Sequence, residues 1–300
     1  MRRDLPSTVL PQDPIGAAVS AGAKFSEGET ALLGKKALLG SITAVVLLLA
    51  ATVAMAQNIT GTPGPDTLNG TSAPDNIDGL AGDDTINGLG KADRLFGEDG
   101  DDTINGDGAC PKGTTSGDSP YYCIPGPSGG DEIHGGNGDD TIDGNGKGDK
   151  ISGDDGADDI SGSSGHDSIS GGGGPDVIRG GTFGDKIKGG SGGDSIGGGT
   201  GRDRINGGSG GDGLRGNGGN DTLIGGRGGD RLRGQSGNDK IRGGSGKDRT
   251  FGGSGNDTIR VRDGRRDFRV DCGSGRDTVF ADRSDRVKSN CERVFRRGRR

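Results

Sequence analysis

Gly207-Gly208-Ser209-Gly210-Gly211-Asp212-Gly213-Leu214-Arg215 is the stretch whose reading decides the fold. It has the form G-G-x-G-x-D-x-U-x, with U a large aliphatic residue, and it returns at a fixed step. Between residues 126 and 260 the aspartates are Asp131, Asp140, Asp149, Asp158, Asp167, Asp176, Asp185, Asp194, Asp203, Asp212, Asp221, Asp230, Asp239, Asp248 and Asp257, nine apart through fifteen copies. Two residues after each stands an isoleucine or leucine, from Ile133 to Ile259, broken only at Thr250. With 70 glycines, 3% aromatic and 26% hydrophobic residues, the composition alone would read as disorder; the strict period overrides it.

One bulky apolar residue in nine cannot fill a layered globular core. A short strand (aspartate, x, U, x) followed by a glycine-rich turn can instead coil back on itself and stack each U on its counterpart. Glycine permits the positive φ that such tight reversals need. The aspartates then form ladders along the turns, and stacked carboxylates repel unless a cation lies between the rungs. Carboxylate and carbonyl oxygens make a hard donor set that suits Ca²⁺ better than zinc or copper. Little folding is expected without the ion.

Toward the N-terminus, residues 57–105 hold five weaker copies at Asp66, Asp75, Asp84, Asp93 and Asp102, with Leu68, Ile77, Ile86, Leu95 and Ile104 as their aliphatics. Ala73 and Lys91 replace a turn glycine, and Pro65 and Pro74 precede their aspartates. This end is expected to cap the coil, so only Asp84 and Asp102 of the five are taken as ligands.

Between the two blocks, Asp102 and Asp131 are 29 residues apart, one step of nine plus twenty. The extra residues, 106–125, contain Cys110, Cys123, Tyr121, Tyr122 and three prolines. They read as an excursion from one edge of the coil, with Cys110–Cys123 a candidate disulfide.

Residues 35–56 have the form of a secretory signal: Lys35-Lys36, then the apolar run 44–51, then Ala54-Met55-Ala56 as a small-x-small cleavage site. Cleavage would begin the mature chain at Gln57; retention of residues 37–56 as a membrane anchor is the competing reading. Residues 1–34, polar and with three prolines, are expected to be a disordered leader.

Residues 261–300 are basic. From Arg260 onward there are fourteen Lys and Arg against seven Asp and Glu, whereas the chain as a whole carries −7. One more repeat-like unit runs from Cys272 to Val279, and a Cys272–Cys291 disulfide would clasp a C-terminal cap over the open end of the coil. The arginines admit two readings, a surface for acidic polymers or lipid head groups and a solvated cap. The second is expected, because aromatics hardly interleave with them.

The nonapeptide resembles the repeat of RTX (haemolysin-type) calcium-binding proteins. The resemblance covers residues 61–259 apart from the insertion. It implies an all-β fold, a right-handed parallel β-roll in which two repeats make one coil with a strand on each face; twenty repeats would make about ten coils. It also implies Ca²⁺ held between turns by backbone carbonyls and the sixth-position aspartates, here Asp84, Asp102 and the fifteen from Asp131 to Asp257. The best-formed turns end at Asp140, Asp176, Asp194, Asp203, Asp212, Asp230, Asp248 and Asp257. Lys147 and Phe183 depart from the pattern where the fourth-position glycine is expected.

Many such proteins join the roll to an enzymatic module, yet here nearly everything between the signal and the basic end is repeat. His134 and His166 both lie inside repeat units, and a non-enzyme is expected. The function this points to is a secreted or cell-surface calcium-binding protein, probed by calcium-driven folding. The alternative is a structural or adhesive spacer that presents residues 106–125. The partners implied are calcium ions and an extracellular or cell-surface polymer, with no nucleic acid, and the chain is expected to be a monomer. An ice-binding face would need a regular array of Thr and Asn; the residues following the aspartates are mixed, which argues against it.

Overall fold

A computed structural model describes residues 55–107 and 129–296. The leader at 1–34, the signal core, and Cys110 and Cys123 with the centre of the insertion lie outside the described residues.

The described chain is all β. Twenty-four strands form two sheets, one of 13 and one of 11, and consecutive strands alternate between them except for the last, which joins the larger sheet beside its predecessor. Up to that last one, every strand pairs in parallel with the strand two repeats away. Ile169 lies opposite Ile187 and Ile187 opposite Ile205 in the larger sheet, while Ile178, Ile196 and Leu214 line up in the smaller. One coil is therefore two nonapeptides, and the coils stack at the usual strand spacing of roughly 4.8 Å. Across the insertion Leu95 pairs with Ile133 and Ile104 with Ile142, so the register of the stack is kept on either side of it.

Side chains alternate in and out along each unit as a strand requires. Asp203 is buried, Arg204 exposed, Ile205 buried, Asn206 exposed and Gly207 buried. Each repeat thus points three groups inward: the aspartate, the aliphatic and the first glycine. The aliphatics from Ile77 to Ile259 form the core, none more than 2% exposed. Thr250 takes its place in the column between Leu232 and Val270, fully buried, with its hydroxyl unpartnered.

The glycine run is not all turn. The strand Arg204–Ser209 continues through Gly207 and Gly208, and Gly208 and Ser209 pair with Gly190 and Ser191. The chain corners at the second and fourth positions, where φ is positive, as at Gly208 (110°) and Gly210 (139°). All eleven non-glycine residues with positive φ occupy the same two positions. Lys91, Lys147 and Phe183 stand fourth; Leu80, Leu89, Glu98, Asn145, Asp154, Ser163, Asn217 and Gln235 stand second. The register imposes the turn even where the residue does not favour it.

The coil also runs beyond the last regular repeat. Arg269–Ser274, Thr278–Ala281 and Arg293–Arg296 are further strands of the same two sheets, with Val261, Val270, Cys272, Val279 and Ala281 in the core. Cys272 and Cys291 are joined by a disulfide within these last coils. The stack reaches about twelve coils rather than the ten counted from twenty repeats. Among the described residues no helix is long and apolar enough to cross a membrane.

Candidate metal centre

Two unbroken ladders of aspartates run inside the turns, one along each sheet. In each, the backbone N–H of one aspartate donates to Oδ1 of the aspartate one coil further on. One ladder includes Asp140 to Asp158 (2.9 Å) and Asp158 to Asp176 (3.1 Å); the other includes Asp185 to Asp203 and Asp203 to Asp221 (2.9 Å each). The pattern crosses the insertion, from Asp93 to Asp131 (2.9 Å) and Asp102 to Asp140 (2.8 Å). A ladder of carboxylates above carboxylates is what the period implies; that one oxygen of each is consumed by the backbone of its neighbour is visible only in the fold.

The other oxygen is left over. Oδ2 is buried without a hydrogen-bond partner in Asp84, Asp102 and all fifteen aspartates from Asp131 to Asp257. Uncompensated burial of so many acceptors is costly, and a bound cation or a proton is the physical remedy. Each Oδ2 lies in the space that the first glycine of its own turn leaves by having no side chain. A Cβ on Gly135 would collide with Asp140 Oδ2 and with the carbonyl oxygen of Gly153 in the next coil, and Gly234 stands in the same relation to Asp239 and Gly252. Carboxylate and carbonyl oxygens thus converge turn after turn.

Burial, the largest cause, raises the pKa of these carboxyls; the N–H donated along the ladder partly offsets it, and neighbouring carboxylates add to it in many turns. The pKa reaches about 8 for Asp149, about 7 for Asp131, Asp140, Asp185 and Asp239, and about 6 for Asp176, Asp203, Asp230 and Asp257. It is raised likewise for Asp84, Asp102, Asp158, Asp167, Asp194, Asp212, Asp221 and Asp248. A buried carboxyl held near neutrality is ready to exchange its proton for a cation.

The donor set fits a hard divalent ion. Among the described residues no three His, Cys, Asp or Glu side chains gather into a ready cluster, so main-chain carbonyls must supply the remaining ligands. Oxygen-only coordination of this kind belongs to calcium rather than to zinc or copper.

The two turns that depart at Lys147 and Phe183 keep the arrangement: Asp149 and Asp185 remain in their ladder with Oδ2 unpartnered. Three further aspartates share it, Asp93, Asp267 and Asp277. Asp93 follows the irregular turn at Lys91. Asp267 and Asp277 come at steps of ten, which a search for nine passes over; the repeat-like unit at Cys272–Val279 was the available signal for Asp277. At the ends the spare oxygens are satisfied by protein. Thr62 and Thr71 donate to Oδ2 of Asp66 and Asp75, Asp282 donates to Asp285, and Glu292 accepts from Asp277 to finish the second ladder.

The profile of the RTX calcium-binding nonapeptide repeat (four copies) matches residues 60–109 and 128–259 in overlapping segments, more than half of the 300-residue chain. No curated protein matches the chain closely enough to be reported as a relative. With the period, the two ladders and this match in hand, the chain belongs to the RTX calcium-binding nonapeptide-repeat family.

Proposed function

We propose that this is a secreted or cell-surface calcium-binding protein whose roll is folded by the ions it binds. The observation that carries the proposal is the row of buried, unpartnered Oδ2 atoms, most of them in a space also faced by a carbonyl oxygen of the next coil. The aspartates of the turns ending at residues 84, 102 and 131–257 would supply one carboxylate oxygen each, and Asp93, Asp267 and Asp277 would do the same. Glycine at the first position keeps the space open, and the backbone corners at the second and fourth positions set the direction of the carbonyls. When bound, calcium supplies the positive charge that stacked carboxylates need and stays weakly enough held to follow external concentration. Export is supported by the signal-like segment at 35–56 and by the disulfide between Cys272 and Cys291, which suits an oxidising compartment.

A binding role rather than catalysis is supported by the surroundings of the histidines. His134 stacks on Phe96 on an outer face, and His166 exchanges contacts with the Gly184 backbone in a turn. Turnover of ester, glycoside or peptide substrates by the purified protein would overturn that reading.

Far-UV circular dichroism of the purified chain during calcium titration, with magnesium as control, tests the main proposal. A cooperative transition from coil to β at roughly 10⁻⁴–10⁻³ M calcium, absent with magnesium, is expected. Stable β-structure in chelator would instead favour a second reading, a structural or adhesive spacer. That reading is supported by the insertion at 106–125, across which the register of the stack continues unshifted.

A further inference from the structure

The outside of the roll is not what its net charge suggests. Although the chain carries −7, the segment from Lys186 to Arg262 has fourteen lysines and arginines and only eight acids, all of them ladder aspartates. Each of the eight, from Asp194 to Asp257, is at most 2% exposed. The exposed charge of this half is therefore cationic alone, and among the described residues none of the fourteen forms a salt bridge.

Register concentrates the charge. On the 11-stranded sheet Arg231 lies beside Arg249 in one outward column, and Arg215 beside Arg233 in the column next to it. Phe251 continues that second column and is bracketed by Arg233 and Arg269, whose guanidinium carbons lie 5.6 and 5.2 Å from its ring centre. Phe268 and Phe280 have cations over them in the same way. Aromatics do interleave with the arginines, contrary to the expectation from sequence. The rings hold the guanidinium groups spread against the sheet. Like charges crowded at strand spacing repel one another, and the arrangement is relieved by an anion laid over it.

We propose that this half of the roll binds a linear acidic polysaccharide along the outer face of the smaller sheet, with Arg215, Arg231, Arg233 and Arg249 as its principal contacts. Along it Arg215 and Arg233, and beside them Arg231 and Arg249, recur in two columns at strand pitch, which suits an extended polymer with charges at regular intervals. A platform for single-stranded nucleic acid would offer open aromatic faces for base stacking, whereas Phe251 is covered by cations on either side. A second copy of the chain fits less well. The acids of the other half, such as Asp83, Asp101, Asp139 and Asp155, project from turns, while the face acids Glu132 and Asp159 already pair with Arg94, Lys150 and Arg179.

The test is binding of the full calcium-loaded chain to immobilised dextran sulfate, with neutral dextran of equal length as control. Salt-sensitive binding to the sulfated polymer alone is expected. Replacing Arg215, Arg231, Arg233 and Arg249 together by serine is expected to weaken it at least tenfold. The same variant keeps the calcium-induced circular dichroism, which separates failure of this proposal from failure of calcium-driven folding. A control variant, Arg94→Ser with Lys150→Ser, is expected to bind as the parent does. Equal binding to both dextrans, or unchanged binding by the fourfold variant, would overturn the proposal. Tighter binding to single-stranded DNA, tighter binding to anionic vesicles, or self-association abolished by the variant would overturn the choice of partner.

Discussion

The coils on either side of residue 170 share one interior and have opposite exteriors. Before it, the outward and turn positions carry Asp83, Glu98, Asp99, Asp101, Asp139, Asp154 and Asp155, and the smaller sheet presents Thr67, Thr85, Thr103 and Thr141 in a single column. Asn69, Asn87 and Asn105 form the adjacent column and hydrogen-bond one to the next. Beyond it, those turn positions carry mostly glycine, serine, threonine and asparagine, and arginine and lysine take the outward strand positions, as at Lys186, Lys188, Arg204, Arg231, Arg233 and Arg249. Inside, nothing changes: aspartate, aliphatic and glycine recur, and the ladder bonds stay between 2.8 and 3.1 Å. The interior is fixed by stacking, because each group must fit its copy one coil away. The exterior answers only to solvent and partners, so its charge is free to diverge.

The largest expected effect that sharpens this comparison is that of pH on the metal-free roll. A carboxyl whose folded pKa lies above its unfolded value near 4 stabilises the fold below pH 4, and that contribution is lost as pH rises through the folded value. For Asp203, Asp230 and Asp257 the loss is complete near pH 6; for Asp149 it continues to about 8, helped by the repulsion of Asp131, Asp167 and Asp107. Segment-resolved hydrogen exchange in chelator should therefore show residues 131–158 losing more protection between pH 6 and 8 than residues 203–257. Equal loss would mean that the acids outside the ladder, Asp107 near Asp131 and Asp149 and Asp101 near Asp140, do not reach it. In calcium the dependence reverses, since binding displaces the ladder protons and weakens as pH falls.

Next comes the contrast between the middle of a ladder and its end. Asp203→Asn removes a carboxylate whose Oδ2 is unpartnered, and it should raise the calcium midpoint on the order of tenfold, because affinity at oxygen sites follows ligand charge. Asp75→Asn should leave the midpoint nearly unchanged, since Thr71 already serves its second oxygen. Isothermal titration of both variants makes the comparison.

Two smaller effects probe the irregular positions. Thr250→Val removes a buried, unpartnered hydroxyl from the aliphatic column and should stabilise the calcium-bound roll by about 1 kcal/mol in thermal unfolding. Lys147→Gly relieves a lysine at φ 80° and should add less than about 1 kcal/mol, detectable as a small rise in midpoint.

Most of the fold and most of the site were legible in the sequence. A period held over fifteen copies leaves one way to bury one aliphatic per nine residues, so the coil, its aliphatic core and the ladder of aspartates follow from spacing, and the resemblance implies the parallel roll and the seventeen ligand aspartates. Asp93 keeps the nine-residue step and was set aside with the expected cap and its irregular turn at Lys91, whereas Asp267 and Asp277 come at steps of ten that a nine-residue rule passes over; the backbone absorbs both departures. The Thr and Arg columns escaped for a different reason. Successive repeats go to opposite sheets, so residues mixed along the chain are sorted in space, and the uniform faces exist only after coiling.

The sequence by itself determined the repeat, the inward aliphatic, the ladder of aspartates and the oxygen chemistry of the turns, because these depend on local spacing and residue type. Tertiary structure alone decided which oxygen of each carboxylate is left over, which acids vanish from the surface, and which cations stand side by side. Those depend on contacts between residues eighteen or more apart, formed only when one coil lies upon the next.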